Sequence, residues 1–266
     1  MTNLYNDAFV ERLQAKTRGT MGAWGIPEVA ELRLLCLSEN ATFIARASDE
    51  AAPIVLRVHR PGYHSDDEIR SELAWIKALR SDGVVSTPEP LVTKTGDQIA
   101  SFDDEGQRRH VVAFTFMEGA APDAGDDLVP GFEMLGGISA RLHSHVSSWK
   151  RPDGFQRKMW DFQTAFGEDA LWGDWRAAIG LTDKGRTLLE RCCAKMESRL
   201  EAYGKASDRF GLVHAGAFGH LGNQFLLVHF HIPYLPQTGT LPILEGAKTV
   251  GNQGFLIPDG LAVKFG

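Results

Sequence analysis

A basic residue on a predicted strand and a carboxylate on the predicted helix after it form the first pair that could do chemistry. Arg57 lies in the apolar run 54–58, where strand alternation places it on the face opposite Leu56 and Val58. Glu72 lies on the apolar side of the next helix, where a carboxylate is costly unless it is paired. Such a pair can hold a cationic group against the phosphates of a nucleotide. A structural ion pair inside an α+β domain is the simpler interpretation, and the pattern alone favours it.

An incomplete catalytic loop is the second candidate. Residues 209–215 form a short β-prone apolar run that ends on His214 and an alanine. In kinases with a His-x-Asp loop, the next residue is the aspartate that accepts the proton of the acceptor hydroxyl, and an asparagine five residues later helps to hold magnesium. Gly216 stands at the aspartate position here, and Leu221 stands at the asparagine position. His214 therefore marks a remnant loop, and we assign no catalytic residue.

Two further clusters could bind phosphate or a metal ion, but their patterns are weaker. Residues 39–43 lie between two predicted strands and contain Asn40 but no glycine. Binding of phosphate by the backbone is therefore weaker there than in a Gly-rich loop. His229 and His231 would point to the same side of a strand, so a metal-binding tail stays a third hypothesis. The sequence has no Gly-x-Ser-x-Gly motif, no glycine-rich dinucleotide loop and no Walker loop.

Size and charge limit the classes of function. A chain of 266 residues can bury the core of one large domain or of two lobes. A net charge of -6 argues against a general nucleic-acid binder. No apolar run approaches the roughly 20 residues of a membrane span, and residues 1–18 do not resemble a signal peptide. Three cysteines do not make a disulfide framework. We expect a cytoplasmic protein that binds neither nucleic acid nor membrane.

The elements that would position Arg57 and Glu72 lie in the first part of the chain. Three β-leaning runs fall between residues 31 and 58, and two more strands follow the helix that carries Glu72. That helix has the strongest signal in the chain, with a capping box at Ser65–Glu68 and a stop at Asp82–Gly83. Residues 1–116 are therefore predicted to form an N-lobe with a β-sheet and one long helix.

The rest of the chain divides at Gly216. Two apolar faces at helical spacing precede it, namely Phe132, Leu135, Ile138, Leu142 and His145, and then Leu189, Cys192, Met196, Leu200 and Tyr203. Residues 117–215 are therefore predicted to form a helical C-lobe. Residues 216–266 have four charged side chains and no arginine, and they are predicted to be a divergent tail of uncertain structure.

Six motifs, taken in order, resemble the aminoglycoside phosphotransferase and choline kinase superfamily, most nearly its homoserine kinase type II-like and stress-response-kinase-like bacterial members. The motifs are residues 39–43, 54–62, 71–73, 114–119, 140–143 and 211–215. The resemblance implies a protein-kinase-like, two-lobe α+β fold. It also implies ATP and Mg²⁺ as cofactors, and phosphorylation of the hydroxyl of a small molecule or of a protein Ser/Thr. The sequence does not identify the acceptor.

The resemblance also implies roles for particular residues. Arg57 stands where the family has its phosphate-binding basic residue, and Glu72 matches the helix glutamate. Asn40 falls in the loop that would cover the phosphates, and Phe116 and Glu118 fall in the hinge that would bind adenine. All five are predicted to bind nucleotide.

The family pattern is not completed after Ala215. It requires the catalytic-loop aspartate, the asparagine and a later Asp-x-Asp that holds magnesium, and the last aspartate of this chain is the isolated Asp259. No metal ligand is assigned, the C-lobe is predicted to be incomplete, and we expect little or no turnover. Without further helices, Leu189, Met196 and Leu200 should be partly uncovered.

Two explanations of residues 216–266 stay open. They are an out-of-frame or altered gene end, or they belong to a naturally divergent and inactive relative. The loss of nearly all charge at one position favours the first explanation. The alternative function is a non-catalytic nucleotide-binding or interaction module, that is, a pseudokinase.

Overall fold

The computed structural model describes residues 7–37, 40–119, 127, 129–168, 170–171 and 173–213. The predicted tail 216–266 lies outside the described residues. The helices are α1 (Asp7–Arg18), α2 (Asp66–Ser81), α3 (Val129–Ser148), α4 (Phe162–Phe166) and α5 (Asp183–Tyr203), with short 3-10 turns at Met21–Trp24 and Trp175–Ala177. The strands are β1 (Glu31–Leu37), β2 (Ala41–Arg46), β3 (Ile54–Val58), β4 (Pro90–Leu91), β5 (Ala100–Asp104) and β6 (Gln107–Thr115). These elements confirm the predicted α+β class.

The strands form one antiparallel sheet with β3 in its centre. The strand order is β1-β2-β3-β6-β4, and β5 also pairs with β6. Arg57 stands opposite Thr42 of β2 and opposite Val112 of β6. The side chains of residues that stand opposite each other in neighbouring strands point to the same side of the sheet. These three residues therefore share one face of the sheet. The predicted orientation of Arg57, opposite to Leu56 and Val58, is therefore confirmed.

Each face of the sheet is covered by apolar side chains of a different helix. On one face, Leu56, Val58 and Phe43 pack with Leu13 of α1. On the other face, the side chains of β3 and β6 pack against α2 in a cluster of Val55, Val112, Phe114, Ile69, Leu73 and Ile76. This second face is the one that carries Arg57.

Helix α2 lies between the sheet and helix α3. Its residues Trp75 and Leu79 are buried against Ile138 and Leu142 of α3. The start of α2 is fixed by the predicted capping box, in which Ser65 Oγ accepts a hydrogen bond from the Glu68 amide and the Glu68 carboxylate accepts one from the Ser65 amide. Glu72 therefore has a defined place on this helix, about two turns after the cap.

Helix α5 keeps its apolar stripe uncovered within the described part of the chain. It follows the predicted spacing, yet none of its residues is buried. Leu189, Met196 and Leu200 are 41%, 37% and 50% exposed, as expected. No helix in the described ranges is both long enough and apolar enough to cross a bilayer.

Candidate functional site

A cleft of about 650 Å³ opens beside the sheet face that carries Arg57. The described charged residues that line it are Arg57, Arg151, Arg157, Lys158, Arg209 and one carboxylate, Glu72. Its described aromatic residues are Tyr63, Trp75, Phe114, Phe155, Trp160 and Phe210. The protein as a whole carries a net charge of -6, so this cleft concentrates positive charge on an acidic molecule. Such a lining favours an anionic ligand.

Arg57 and Glu72 form the ion pair that the sequence predicts. Arg57 Nη2 donates to Glu72 Oε1 at 2.7 Å, and the two side chains are 4% and 15% exposed. The Arg57 guanidinium also lies 5.1 Å from the centre of the Phe114 ring. Strand β3 holds Arg57 in the middle of the sheet, and α2 carries Glu72 to it. The carboxylate on the apolar side of the helix is therefore paired, which offsets its desolvation.

A segment after α3, residues 151–160, is bound to α2 next to this pair, and we call it the strap. The Gln156 amide donates to Ser71 Oγ at 2.8 Å. Arg157 Nη1 donates to the carbonyl oxygen of Glu68 at 3.0 Å and lies 3.6 Å from Glu72 Oε2. Lys158 Nζ lies 3.4 Å from Glu68 Oε2. Three consecutive residues of the strap thus hold it against the first turns of α2.

The strap residues were not predicted as site residues. They lie in a Trp-rich stretch without helical or strand periodicity, and their partners on α2 are 85 to 90 positions earlier in the chain. The adjacent cations Arg157 and Lys158 were the available signal, but an adjacent pair of cations is most often solvent-exposed.

A buried histidine, His59, lies just after β3 and close to the ion pair. It is 1% exposed, and among the described residues neither of its ring nitrogens has a hydrogen-bond partner. Burial lowers the pKa of His59 well below its usual value; the charge of Arg57 lowers this pKa further, whereas Glu72 opposes the shift. His59 is therefore neutral near pH 7.

His64 borders the cleft and is also held in its neutral form. Burial is the largest cause that lowers the pKa of His64, followed by the charge of Arg157, while Glu68 and Glu72 oppose them. Its Nδ1 lies 3.3 Å from Glu68 Oε2. The positive charge of the cleft therefore comes from arginine and lysine and not from histidine.

The structure brings three of the five predicted nucleotide-binding residues together. Asn40 lines the cleft with Arg57 and Glu72, and its Oδ1 accepts a hydrogen bond from the Arg60 amide at 3.2 Å. Phe116 does not line this cleft, since it packs against the apolar cluster under α2 and its amide donates to the Pro53 carbonyl at 3.3 Å.

The remaining predicted positions lie elsewhere. Glu118 is exposed and is not part of the cleft lining. The run toward the remnant catalytic loop does border the cleft, from Arg209 to Val213. His214 and Gly216 lie outside the described residues.

The described part of the site does not fit a magnesium ion. No group of three His, Cys, Asp or Glu side chains that could hold a metal occurs within the described ranges. Glu72 is the one carboxylate among the described lining residues, and two guanidiniums already lie against it. Magnesium prefers free carboxylate and phosphate oxygens.

Comparisons with known proteins identify the family. The sequence model of the phosphotransferase enzyme family, APH, matches residues 37–223. The chain belongs to this family. The resemblance to aminoglycoside phosphotransferases is therefore confirmed. Each motif is short, and the order of the motifs along the chain identified the family.

Two solved kinase structures match about three quarters of the chain. A microcompartment-associated aminopropanol kinase is 38% identical, with a TM-score of 0.68, over 76% of this chain and 61% of that protein. An amicoumacin kinase, solved in complex with AMP-PNP, Ca²⁺ and Ami, is 18% identical, with a TM-score of 0.56, over 79% of this chain and 58% of that protein. The predicted protein-kinase-like fold is confirmed by both.

The match covers a larger share of this chain than of either kinase. The chain spans about three fifths of the length of each of these two kinases. No protein of the curated set matches it.

Removing one partner of the ion pair should destabilise this protein. Glu72→Ala leaves the guanidinium of Arg57 buried without its carboxylate, which should lower the free energy of unfolding by about 3–5 kcal/mol. The double variant Arg57→Met with Glu72→Leu, which replaces both charges with apolar groups, should recover much of this loss. Urea denaturation of the three proteins measures both effects. A loss below about 1 kcal/mol in Glu72→Ala would contradict a buried, structure-determining pair.

Stability should fall as the pH drops through the range in which free histidine becomes charged. His59 and His64 have lowered pKa values in the folded state, so the unfolded state takes up protons first, below about pH 6.5. The free energy of unfolding is then expected to decrease between about pH 6.5 and pH 5, and His59→Leu should reduce this slope.

Carboxylates should act in a separate, more acidic range. The hydrogen bond from Arg70 lowers the pKa of Asp97 to about 2, so its contribution is lost only as the pH falls below about 4. Denaturation curves from pH 8 to about pH 2 separate the two ranges. An identical slope in His59→Leu and in the unchanged protein would show that His59 does not titrate on unfolding.

Proposed function

We propose that this chain binds ATP through the phosphate-facing wall of its cleft and that, as its sequence stands, it transfers the phosphoryl group slowly or not at all. The observation that carries the proposal is the ion pair between the buried Arg57 and the partly buried Glu72, which line the cleft together with Asn40. In kinases, a basic strand residue held by a helix carboxylate positions the phosphates of the nucleotide.

The electrostatics of the cleft support nucleotide binding. Five cationic side chains and one carboxylate line its described part, in a molecule whose net charge is -6. A field of this sign raises the local concentration of an anion such as a triphosphate. The aromatic side chains beside it offer faces on which a planar base can stack.

The sequence after Ala215 is the basis for weak turnover. Gly216 and Leu221 occupy the positions of the aspartate and the asparagine, and Glu245 and Asp259 are the acids that follow. Phosphoryl transfer depends on a base that orients the acceptor and on metal ions that neutralise the transferred phosphate. A chain that has neither the base nor the metal ions keeps a nucleotide-binding site but does not accelerate phosphoryl transfer. Such a chain is a pseudokinase.

The parent activity of the family is the second candidate function. In that case the chain phosphorylates the hydroxyl of a small molecule, and a protein Ser/Thr hydroxyl is the less favoured acceptor because both solved relatives are named as kinases of small molecules. The 38% identity to an aminopropanol kinase favours an amino alcohol as the acceptor. Turnover would need carboxylates from residues beyond 213.

Thermal unfolding with ATP, in the presence of a chelator and then with Mg²⁺, tests the proposal. ATP at about 100 times its dissociation constant should add about 2.7 kcal/mol and raise the unfolding midpoint by several degrees without the metal. Adenosine, which lacks phosphates, should shift the midpoint much less.

The same titration separates the alternatives. Absence of any shift with ATP would refute nucleotide binding. A shift that requires Mg²⁺, together with ADP formation when an amino alcohol such as 1-amino-2-propanol is added, would refute weak turnover and support the parent activity instead.

A further inference from the structure

The strap places a second guanidinium on the carboxylate that holds Arg57. Glu72 Oε1 accepts from Arg57 Nη2 at 2.7 Å, and Glu72 Oε2 lies 3.6 Å from Arg157 Nη1. Arg157 is 28% exposed at the cleft, whereas Arg57 is 4% exposed. One carboxylate between two guanidiniums leaves this trio with one positive charge in excess.

Among the described residues, the neighbouring charges of Glu68 and Lys158 do not change this excess. The carboxylate of Glu68 lies 3.4 Å from Lys158 Nζ, and these two charges offset each other. His64, which faces Glu68 across 3.3 Å, is neutral near pH 7. An anion that enters the cleft therefore meets a positive site that is only partly exposed to solvent, where an electrostatic contact is stronger than at the open surface.

Arg157 is also fixed in place before any ligand arrives. Its Nη1 donates to the Glu68 carbonyl at 3.0 Å, and the amide of Gln156 beside it donates to Ser71 Oγ at 2.8 Å. A side chain held in this way loses little conformational freedom when it binds an anion.

We propose that Arg57 and Arg157 together form a phosphate subsite around Glu72, and that Arg157 supplies the net charge that makes it bind a di- or triphosphate group. Without Arg157, Glu72 neutralises Arg57 and the remaining pair has no net charge. This inference rests on the proposed binding of a nucleotide and names a strap residue on which that binding depends.

Calorimetric titration of the full chain with ATP and with inorganic tripolyphosphate, each with a chelator, tests the subsite. Arg157→Ala should weaken the binding of both ligands by roughly tenfold or more, the size of one lost charge-assisted contact. Arg157→Gln keeps a donor toward the Glu68 carbonyl but removes the charge, and it should show a similar loss. Arg157→Lys should bind better than either. Lys150→Ala, which removes an exposed cation just before the strap, should bind like the unchanged protein.

The two ligands separate failure of the subsite from failure of the proposed function. Equal affinities of Arg157→Gln and Lys150→Ala for both ligands overturn the subsite and leave nucleotide binding intact. If the unchanged protein binds tripolyphosphate but not ATP, and Arg157→Gln weakens that binding, the subsite stands and the nucleotide function fails. If the unchanged protein binds neither ligand, both proposals are overturned.

Discussion

The ion pair between Arg57 and Glu72 imposes the main constraint on this structure. A guanidinium in the middle of a sheet can be buried only if a carboxylate reaches it, because an unpaired charge there costs several kcal/mol. Glu72 reaches Arg57 because α2 lies across the sheet, fixed at its start by the Ser65 capping box and along its length by apolar contacts on both sides. The strap binds to the same helix, so the pair, the helix and the cleft form one connected arrangement.

Local patterns account for the part of the site that the sequence predicted. Strand alternation predicted the orientation of Arg57, helical spacing predicted the position of Glu72, and a capping box predicted the start of α2. The strap was missed because its contacts join residues with no shared periodicity and a long separation in the chain, as between Arg157 and Glu68. Helix α5 shows the limit of local patterns. Its spacing predicts an apolar face, but spacing does not determine which element covers that face.

The proposed binding site and the catalytic groups of the family belong to different parts of this chain. The groups proposed to attract phosphates lie on β3, α2 and the strap, within the described residues. The groups that the family uses to orient the acceptor and hold magnesium belong after His214, where the sequence departs from the family pattern at Gly216 and Leu221. Under the proposed function, nucleotide binding persists without turnover, because electrostatic attraction does not require the catalytic base.

Hydrogen exchange with and without ATP, measured by mass spectrometry in the presence of a chelator, tests most directly whether the nucleotide binds at this ion pair. Binding at the pair should slow exchange in peptides that cover Arg57, the first turns of α2 and the strap, with little change in α5. Slower exchange elsewhere, with these three segments unchanged, would show that the Arg57–Glu72 pair does not form the phosphate-binding wall.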